Sequence, residues 1–168
     1  MHPPLTPNTI YAALYWRADG KYHWALIVAD TTTSGQKLHA TNLDHPEVWC
    51  YANDAFDVST EWKPLVILGH IGAVSNVGAG EGSSKVDELL RTIPLETPEC
   101  DAPHPFTCRI WFREAIRVLS THGMVSCRSV DVLERELVDL ADDTGNAVAL
   151  GRPWKLYSDL DSVKLHSL

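Results

Sequence analysis

Three residues of this chain have the types and spacing that thiol chemistry requires. Cys108 opens an amphipathic segment, Thr107-Cys108-Arg109-Ile110-Trp111-Phe112, that follows a Pro-rich turn. His23 lies in the apolar, β-prone run 22–28, and His39 lies in the next such run, 36–42. A thiol activated by a neighbouring imidazole, with a third group to orient that imidazole, is the usual arrangement of a cysteine nucleophile. The sequence therefore predicts acyl chemistry if these three side chains meet.

The position of Cys108 at a helix start favours a reactive thiol. A helix is predicted from near Thr107 to about Thr121, with Gly123 as its end signal. The free N–H groups of a first turn favour an anion, so they lower a thiol pKa below its free value of about 8.5. The same N–H groups can hold an oxyanion. The apolar face of this helix consists of Cys108, Trp111, Phe112, Ala115, Ile116 and Leu119.

The two histidines are expected on one face of a β-hairpin. A turn is predicted at 31–35, and pairing His23 with His39 centres the hairpin on residue 31. Directly opposed residues share a face, with Cβ atoms about 5 Å apart. We therefore expect His23 to act as the base and His39 to orient it. Trp24, Trp111 and Phe112 are expected to shape a substrate pocket. The alternative for each residue is ordinary core packing, since a buried cysteine usually behaves as a small hydrophobe.

The elements that must position these residues indicate one α+β domain over residues 1–168. Residues 1–8 are expected to form a loose N-terminal arm, and 76–84 a Gly-rich loop. Five β-prone runs come first, helices dominate after residue 83, and the tail from Ala147 is expected to add an extended segment. The predicted strands are 9–16, 22–29, 36–42, 48–52 and 65–71. The predicted helices begin near Ser83, Thr107 and Ser129, and the last of them is expected to end before Gly145.

The order strand His, strand His, helix-start Cys resembles the circularly permuted papain-like proteins of the lecithin retinol acyltransferase type. The matching positions are His23, His39 and Cys108, and the distant resemblance covers roughly residues 20–120. It implies a small antiparallel sheet packed against a nucleophile-bearing helix. It also implies attack on an amide, ester or thioester through an acyl-cysteine, completed by hydrolysis or transfer. The chain departs from the family pattern at Thr107, where Asn is common, and at Arg109, where an acidic residue often follows the cysteine.

A binding module on the same fold is the competing interpretation. The six Trp residues suit a ligand groove, because a buried Trp needs a partner for its N–H. The two interpretations differ in whether the ligand bound in the pocket is converted to a product. They agree on a small-molecule or peptide ligand, an acyl compound if the protein is an enzyme, and neither requires a cofactor.

Composition excludes several other classes of partner. The net charge of −8 opposes phosphate-backbone binding, so no nucleic-acid partner is expected. No run approaches the roughly 18 apolar residues of a membrane span, so no integral membrane association is expected. The N-terminus carries no secretory signal pattern. Four cysteines without such a signal indicate free thiols, so a cytoplasmic location is predicted.

Two further motifs could indicate a zinc site and a phosphate-binding loop, but both fit their patterns less well than the thiol interpretation fits its own. Cys100, His104 and Cys108, with Cys127 or His122, could hold zinc, but structural zinc sites usually contain tighter Cys-x-x-Cys pairs. No metal is therefore predicted. The run 78–85 superficially resembles a phosphate-binding loop but lacks its Gly-Lys-Ser/Thr ending.

Overall fold

One mixed sheet forms the centre of the molecule. The computed structural model describes residues 2–163. The strand order is β4-β3-β2-β1-β5-β6, antiparallel throughout except for the parallel pair β5–β6. The strands are β1 (Thr9–Trp16), β2 (Tyr22–Ala29), β3 (Ser34–Thr41), β4 (Cys50–Asp57), β5 (Leu65–Ala73) and β6 (Lys155–Tyr157). Short turns join β1 to β2 and β2 to β3, and a longer loop joins β3 to β4. Antiparallel neighbours allow such direct connections.

Three α-helices cover one face of this sheet. They are α1 (Gly82–Leu90), α2 (Cys108–Thr121) and α3 (Val130–Ala149). The Thr107 hydroxyl accepts the Ile110 N–H at the start of α2, and the Ser129 hydroxyl accepts the Val132 N–H at the start of α3. Both are N-caps that satisfy first-turn donors. The predicted end of α3 before Gly145 is wrong, because the helix continues past that glycine to Ala149.

The sheet has an apolar core on each face, which is why β1, β2 and β5 are apolar at nearly every position. The helix face carries Trp24, Leu26 and Val28 of β2, packed with Cys108 and the apolar side of α2. The second face carries Ala25, Ile27 and Ala29, the alternate residues of the same strand. Successive side chains of a strand point to opposite faces, so neighbours in sequence fall into different cores.

The second face is closed by chain segments rather than by helices. Leu5 is 2% exposed, and its N–H donates to the Thr32 carbonyl at 2.8 Å. Val58, after β4, is also buried in this core, and its N–H donates to the Thr33 carbonyl at 2.9 Å. Residues 2–8 form no helix or strand and are mostly exposed, but the buried Leu5 side chain anchors this predicted arm to the second face. Met1 lies outside the described residues.

The α+β class predicted from the sequence is confirmed. β2 has the predicted bounds, and α2 begins at Cys108, one residue after its cap. β4 begins at Cys50 instead of Val48 and continues to Asp57 through a polar, mostly exposed stretch. The Gly-rich segment is shorter than predicted, since its last residues belong to α1.

Candidate functional site

The sheet separates Cys108 from the two histidines. Cys108 packs in the helix-side core together with Trp24. His23 alternates with Trp24 along β2, so its side chain lies on the opposite face, beside Tyr15 of the second core. His39 likewise alternates with Leu38 and Ala40, which face the helices. The predicted Cys108–His23 pair is therefore not formed, because the backbone of β2 lies between the two groups.

The structure does bring His23 and His39 together. His23 Nε2 lies 2.7 Å from His39 Nδ1, and His39 Nε2 lies 2.8 Å from the Asp54 carboxylate. The prediction that the two imidazoles share a face is confirmed. They are diagonal neighbours and not directly opposed, because β2 and β3 pair with Leu26 opposite Leu38. Asp54, on β4, completes a chain of three groups that runs across three strands.

The hydrogen bonds assign the tautomers of this chain. An ionised carboxylate can only accept, so His39 Nε2 carries the proton donated to Asp54. Neutral His39 then accepts at Nδ1 from His23 Nε2–H, which leaves His23 Nδ1 with a free lone pair. Burial lowers the pKa of His23 to about 3, helped by His39 and Lys37, and burial also lowers that of His39. Although burial alone would raise it, the pKa of Asp54 is lowered, mainly by its bond to His39.

Cys108 has an environment unlike that of an activated thiol. The residue is 2% exposed, and burial raises the pKa of its thiol above the ordinary value. Backbone groups of Trp24 and of the α2 first turn lower that pKa, and so does the charge of Arg17, but burial is the larger effect. The helix start thus acts in the predicted direction, and desolvation overrides it.

Cys108 nevertheless lines a cavity at the start of α2, here called the helix-side cavity. Its volume is about 600 Å³. The β1–β2 turn, the ends of β3 and β4, the turn before α2 and one side of α3 enclose it. Its lining comprises Arg17, Asp19, Gly20, Lys21, Tyr22, Trp24, Asn42, Trp49, His104, Pro105, Thr107, Cys108, Arg109, Glu134, Val138 and Asp142.

Internal ion pairs neutralise most of the charge around the helix-side cavity. Arg109 makes two hydrogen bonds to the Glu134 carboxylate, at 2.5 and 3.1 Å. Arg17 lies 3.0 Å from Asp19. The cavity wall therefore presents paired charges beside aromatic rings, and not a field of one sign.

Of the three predicted substrate-binding residues, only Trp24 lines the cavity. Trp111 and Phe112 are fully buried, and neither lines it. Phe112 packs on Trp24 with ring centroids 5.0 Å apart, and Trp111 packs near Tyr51. These two rings do not form a wall of the helix-side cavity, because α2 turns this side toward the sheet.

Sequence patterns predicted the two histidines on the sheet face that packs against α2, and one sequence signal argues against that placement. Several residues that line the helix-side cavity were also not predicted. In β3, Lys37 and His39 alternate with Leu38 and Ala40. An amphipathic helix covers the apolar alternate set, so Leu38 and Ala40 indicate the helix face, and His39 belongs to the other. Trp49, Arg17 and Glu134 carry no comparable local signal, since each reaches the cavity from a different element.

The structure does not bring Cys100, His104 and Cys108 together as a zinc site. Within residues 2–163, the group of side chains close enough to share an ion is Cys100, Asp101 and Glu114, without His104 or Cys108. Asp101 accepts from Arg113 and Arg117, and Glu114 also accepts from Arg117. These carboxylates are already neutralised by guanidinium groups, which makes the cluster an ion-pair network.

The Gly-rich loop has an internal occupant. Gly78 N–H donates to the Glu81 carboxylate at 2.9 Å. An acidic side chain therefore occupies a donor that a phosphate would need, consistent with the sequence argument against a phosphate loop.

Together these observations define the class: an α+β protein with helices on one face of a mixed sheet and an aromatic cavity at the start of its second helix. The chain belongs to the family of unknown function DUF6914, whose model matches residues 8–139. The matched region includes Cys108, His23, His39 and Asp54. No curated protein and no solved structure matches the chain.

The structure describes three α-helices within residues 2–163. None of them combines the length and apolar character that a membrane crossing needs.

Proposed function

We propose that the protein binds a compact amphipathic molecule in the helix-side cavity. The observation that carries this proposal is the cavity itself, about 600 Å³ in volume, with aromatic and ion-paired walls. Small-molecule sites have this size and this combination of apolar rings with a few polar groups. The binding module is thus favoured over the enzyme among the two interpretations of the sequence.

The aromatic walls favour a ligand with a ring or a short acyl body. Trp24, 3% exposed, forms the base of the cavity beside Cys108. Trp49 forms a side wall and is held edge-on against Phe106 at 5.8 Å. Indole rings offer a large contact area with little rotamer entropy to lose on binding.

The charges favour a neutral or zwitterionic ligand over a singly charged one. Arg109 and Arg17 are already paired with carboxylates. Lys21 and Asp142 remain at the rim as one cation and one anion, and Asp142 also accepts from the Tyr22 hydroxyl at 2.6 Å. Charge complementarity across a site chiefly sets specificity, so an unbalanced ligand is expected to bind less well.

Four probes that share one ring and differ in charge test this proposal. Phenylalanine, N-acetylphenylalaninamide, phenylacetate and phenethylamine are compared by saturation-transfer NMR. We expect the zwitterion and the neutral amide to give the strongest signals. Trp49→Ala is expected to weaken their binding about tenfold, a loss typical of a buried aromatic contact of about 1.4 kcal/mol.

Trp62→Ala is the matched control. Trp62 is 83% exposed and does not line the helix-side cavity, so its removal should leave binding unchanged. Equal losses in both variants, or a ranking set only by probe hydrophobicity, would contradict the proposal.

A second candidate is thiol chemistry on an acyl substrate, with the permuted papain-like fold that the resemblance implies. Cys108 lines the cavity from the first turn of α2, and His104 lines the same cavity. These two groups support an acyl-cysteine route without His23. The pKa of the Cys108 thiol, which burial raises, opposes it. Labelling of Cys108, described in the Discussion, distinguishes the two candidates.

A further inference from the structure

A second polar site lies on the opposite face of the sheet, outside the helix-side cavity. The segment after β4 folds over the ends of β3 and β4 and leaves a cavity of about 400 Å³. We call it the lysine cavity. It is lined by Lys37, Asp54, Ala55, Asp57, Thr60, Glu61, Trp62 and Lys63.

Lys37 is the unusual residue of this cavity. It is 3% exposed, and lysines are almost never so buried without a structural or chemical reason. Its Nζ lies 3.8 Å from the Glu61 carboxylate and 5.0 Å from the centre of the Tyr15 ring. The Tyr15 hydroxyl and the Lys63 backbone N–H also donate to Glu61, at 3.0 and 3.2 Å, so this carboxylate is shared among three groups.

A second amine crowds the first. Burial lowers the pKa of Lys37, and the charge of Lys63 lowers it further, while Glu61 and Asp54 act in the opposite direction. Lysines made nucleophilic in enzymes have these two features, a desolvated position and a neighbouring cation.

The lysine cavity also contains the outer end of the histidine chain. Asp54 lines the cavity and accepts from His39, which in turn bonds to His23. A carboxylate backed by an imidazole can exchange protons with groups bound in the cavity. A candidate nucleophile and a candidate proton carrier thus line the same space.

We propose that Lys37 captures a small aldehyde or ketone in the lysine cavity as an imine, with Asp54 and Glu61 moving the protons. The ammonium first gives a proton to one of these carboxylates. The free amine attacks the carbonyl carbon, a C–N bond forms, and the carbonyl oxygen becomes a hydroxyl with the proton lost by nitrogen. The carboxylic acid then returns its proton to this hydroxyl, water leaves, and a protonated imine remains.

The step is balanced without an oxidant or reductant. One lysine ammonium and one carbonyl compound give one iminium ion and one water. The titratable groups around Lys37 come from β1, β2, β3, β4 and the following segment: Tyr15, His23, His39, Asp54, Asp57, Glu61 and Lys63. Of these, Glu61, Lys63 and Asp54 act on the pKa of Lys37.

Reductive trapping on the full chain tests this proposal. Pyruvate and propanal are each incubated with the protein and cyanoborohydride near neutral pH, and labelled lysines are mapped by peptide mass spectrometry. Exposed Lys85 is the internal reference in the same sample. We expect Lys37 to be labelled several-fold faster than Lys85, because burial and the charge of Lys63 lower the pKa of Lys37 and so leave more of its amine unprotonated near neutral pH.

Two variants separate chemistry from charge. Lys37→Arg keeps the cation for Glu61 but has no nucleophilic amine, so the fast label must disappear. Asp54→Asn should slow labelling of Lys37 several-fold, flatten its dependence on pH and leave Lys85 unchanged. Circular dichroism checks that each variant is folded.

The wild-type comparison needs no variant and decides the matter alone. If Lys37 is labelled no faster than Lys85, the amine is a protonated ion-pair partner of Glu61, and the proposal is overturned. Binding in the helix-side cavity is unaffected by either outcome, because the two cavities share no lining residue.

Discussion

At the residue scale, the face of β2 on which a side chain lies decides which chemical groups surround it. His23 and Trp24 are adjacent in sequence, yet one belongs to a polar chain with His39 and the other to the cavity with Cys108. The imidazoles are held neutral and hydrogen-bonded, and the thiol is held in an apolar setting. The imidazoles thus find hydrogen-bond partners on one face of the sheet, and the thiol is removed from water on the other.

Cys108 is therefore predicted to react slowly. Its thiol is buried and burial raises its pKa, whereas Cys50 and Cys100 are exposed. Only the thiolate reacts with iodoacetamide, so labelling of Cys108 should be at least about tenfold slower than that of either exposed cysteine near neutral pH. Peptide mass spectrometry over a pH series measures the three rates in one sample.

His23→Ala should leave the rate at Cys108 unchanged, because the sheet separates the two residues. Fast labelling that persists well below the ordinary thiol pKa would instead favour the acyl-cysteine candidate. A loss of such labelling in His104→Ala, and not in His23→Ala, would identify its base.

At the element scale, α2 is positioned by its cap and by its apolar side. Thr107 precedes the helix in an extended conformation and accepts the Ile110 N–H. The packed side then sets how deep Cys108 lies, because the helix cannot rotate without exposing Trp111. The shape of the helix-side cavity beside the first turn of α2 depends on this packing.

Thr107→Ala is expected to destabilise the protein by about 1 kcal/mol, the usual cost of losing an N-cap. Thr107→Ser keeps the accepting oxygen and should recover most of this loss. Urea unfolding of the three proteins measures the difference. A loss of similar size in the serine variant would show that the threonine methyl group, and not the cap, matters here.

At the scale of the whole molecule, buried neutral imidazoles connect stability to pH. Folding lowers the pKa of His23 from 6.5 to about 3, and it also lowers that of His39. The unfolded chain therefore binds more protons than the folded one below 6.5. Stability from these groups is fully present above that value and is lost as pH falls toward about 3.

We expect the free energy of unfolding to fall by at least about 1.4 kcal/mol, the equivalent of one pKa unit, before the carboxylates begin to titrate. His23→Gln should make this loss shallower. His45→Gln, which changes an exposed histidine, should not. Urea midpoints measured at several pH values supply the test, and an unchanged slope in His23→Gln would contradict it.

Asp54, Asp87 and Asp101 extend the loss to lower pH. Their pKa values lie below the ordinary 3.8, because each carboxylate accepts hydrogen bonds from donors of neighbouring elements. This part of the stability is present above 3.8 and is lost as pH falls through the lowered values. Acid unfolding is thus expected in two parts, imidazoles first and carboxylates second.

The sequence by itself determined the local structure of this protein. The apolar run of β2 and the start of α2 are set by neighbouring residues, and both appear where they were predicted. The turn after β2 is shorter than predicted, because β3 already begins at Ser34. The α+β class and the shared face of His23 and His39 follow from the same short-range rules. Arg17, Trp49 and Glu134 could not be assigned to one cavity, because distant elements bring them together.

Only the tertiary structure brings α2 onto the face of the sheet that the alternation in β3 favours. β2 is apolar on both sides, so its own pattern is compatible with a helix on either. The two faces differ in the side chains that β3 presents on them. Leu38 and Ala40 are apolar and pack against the helix side. Lys37 and His39 are polar and have partners in β4 and the segment after it. Burial of apolar area against α2 settles that choice, and it places Cys108 with Trp24 and away from His23.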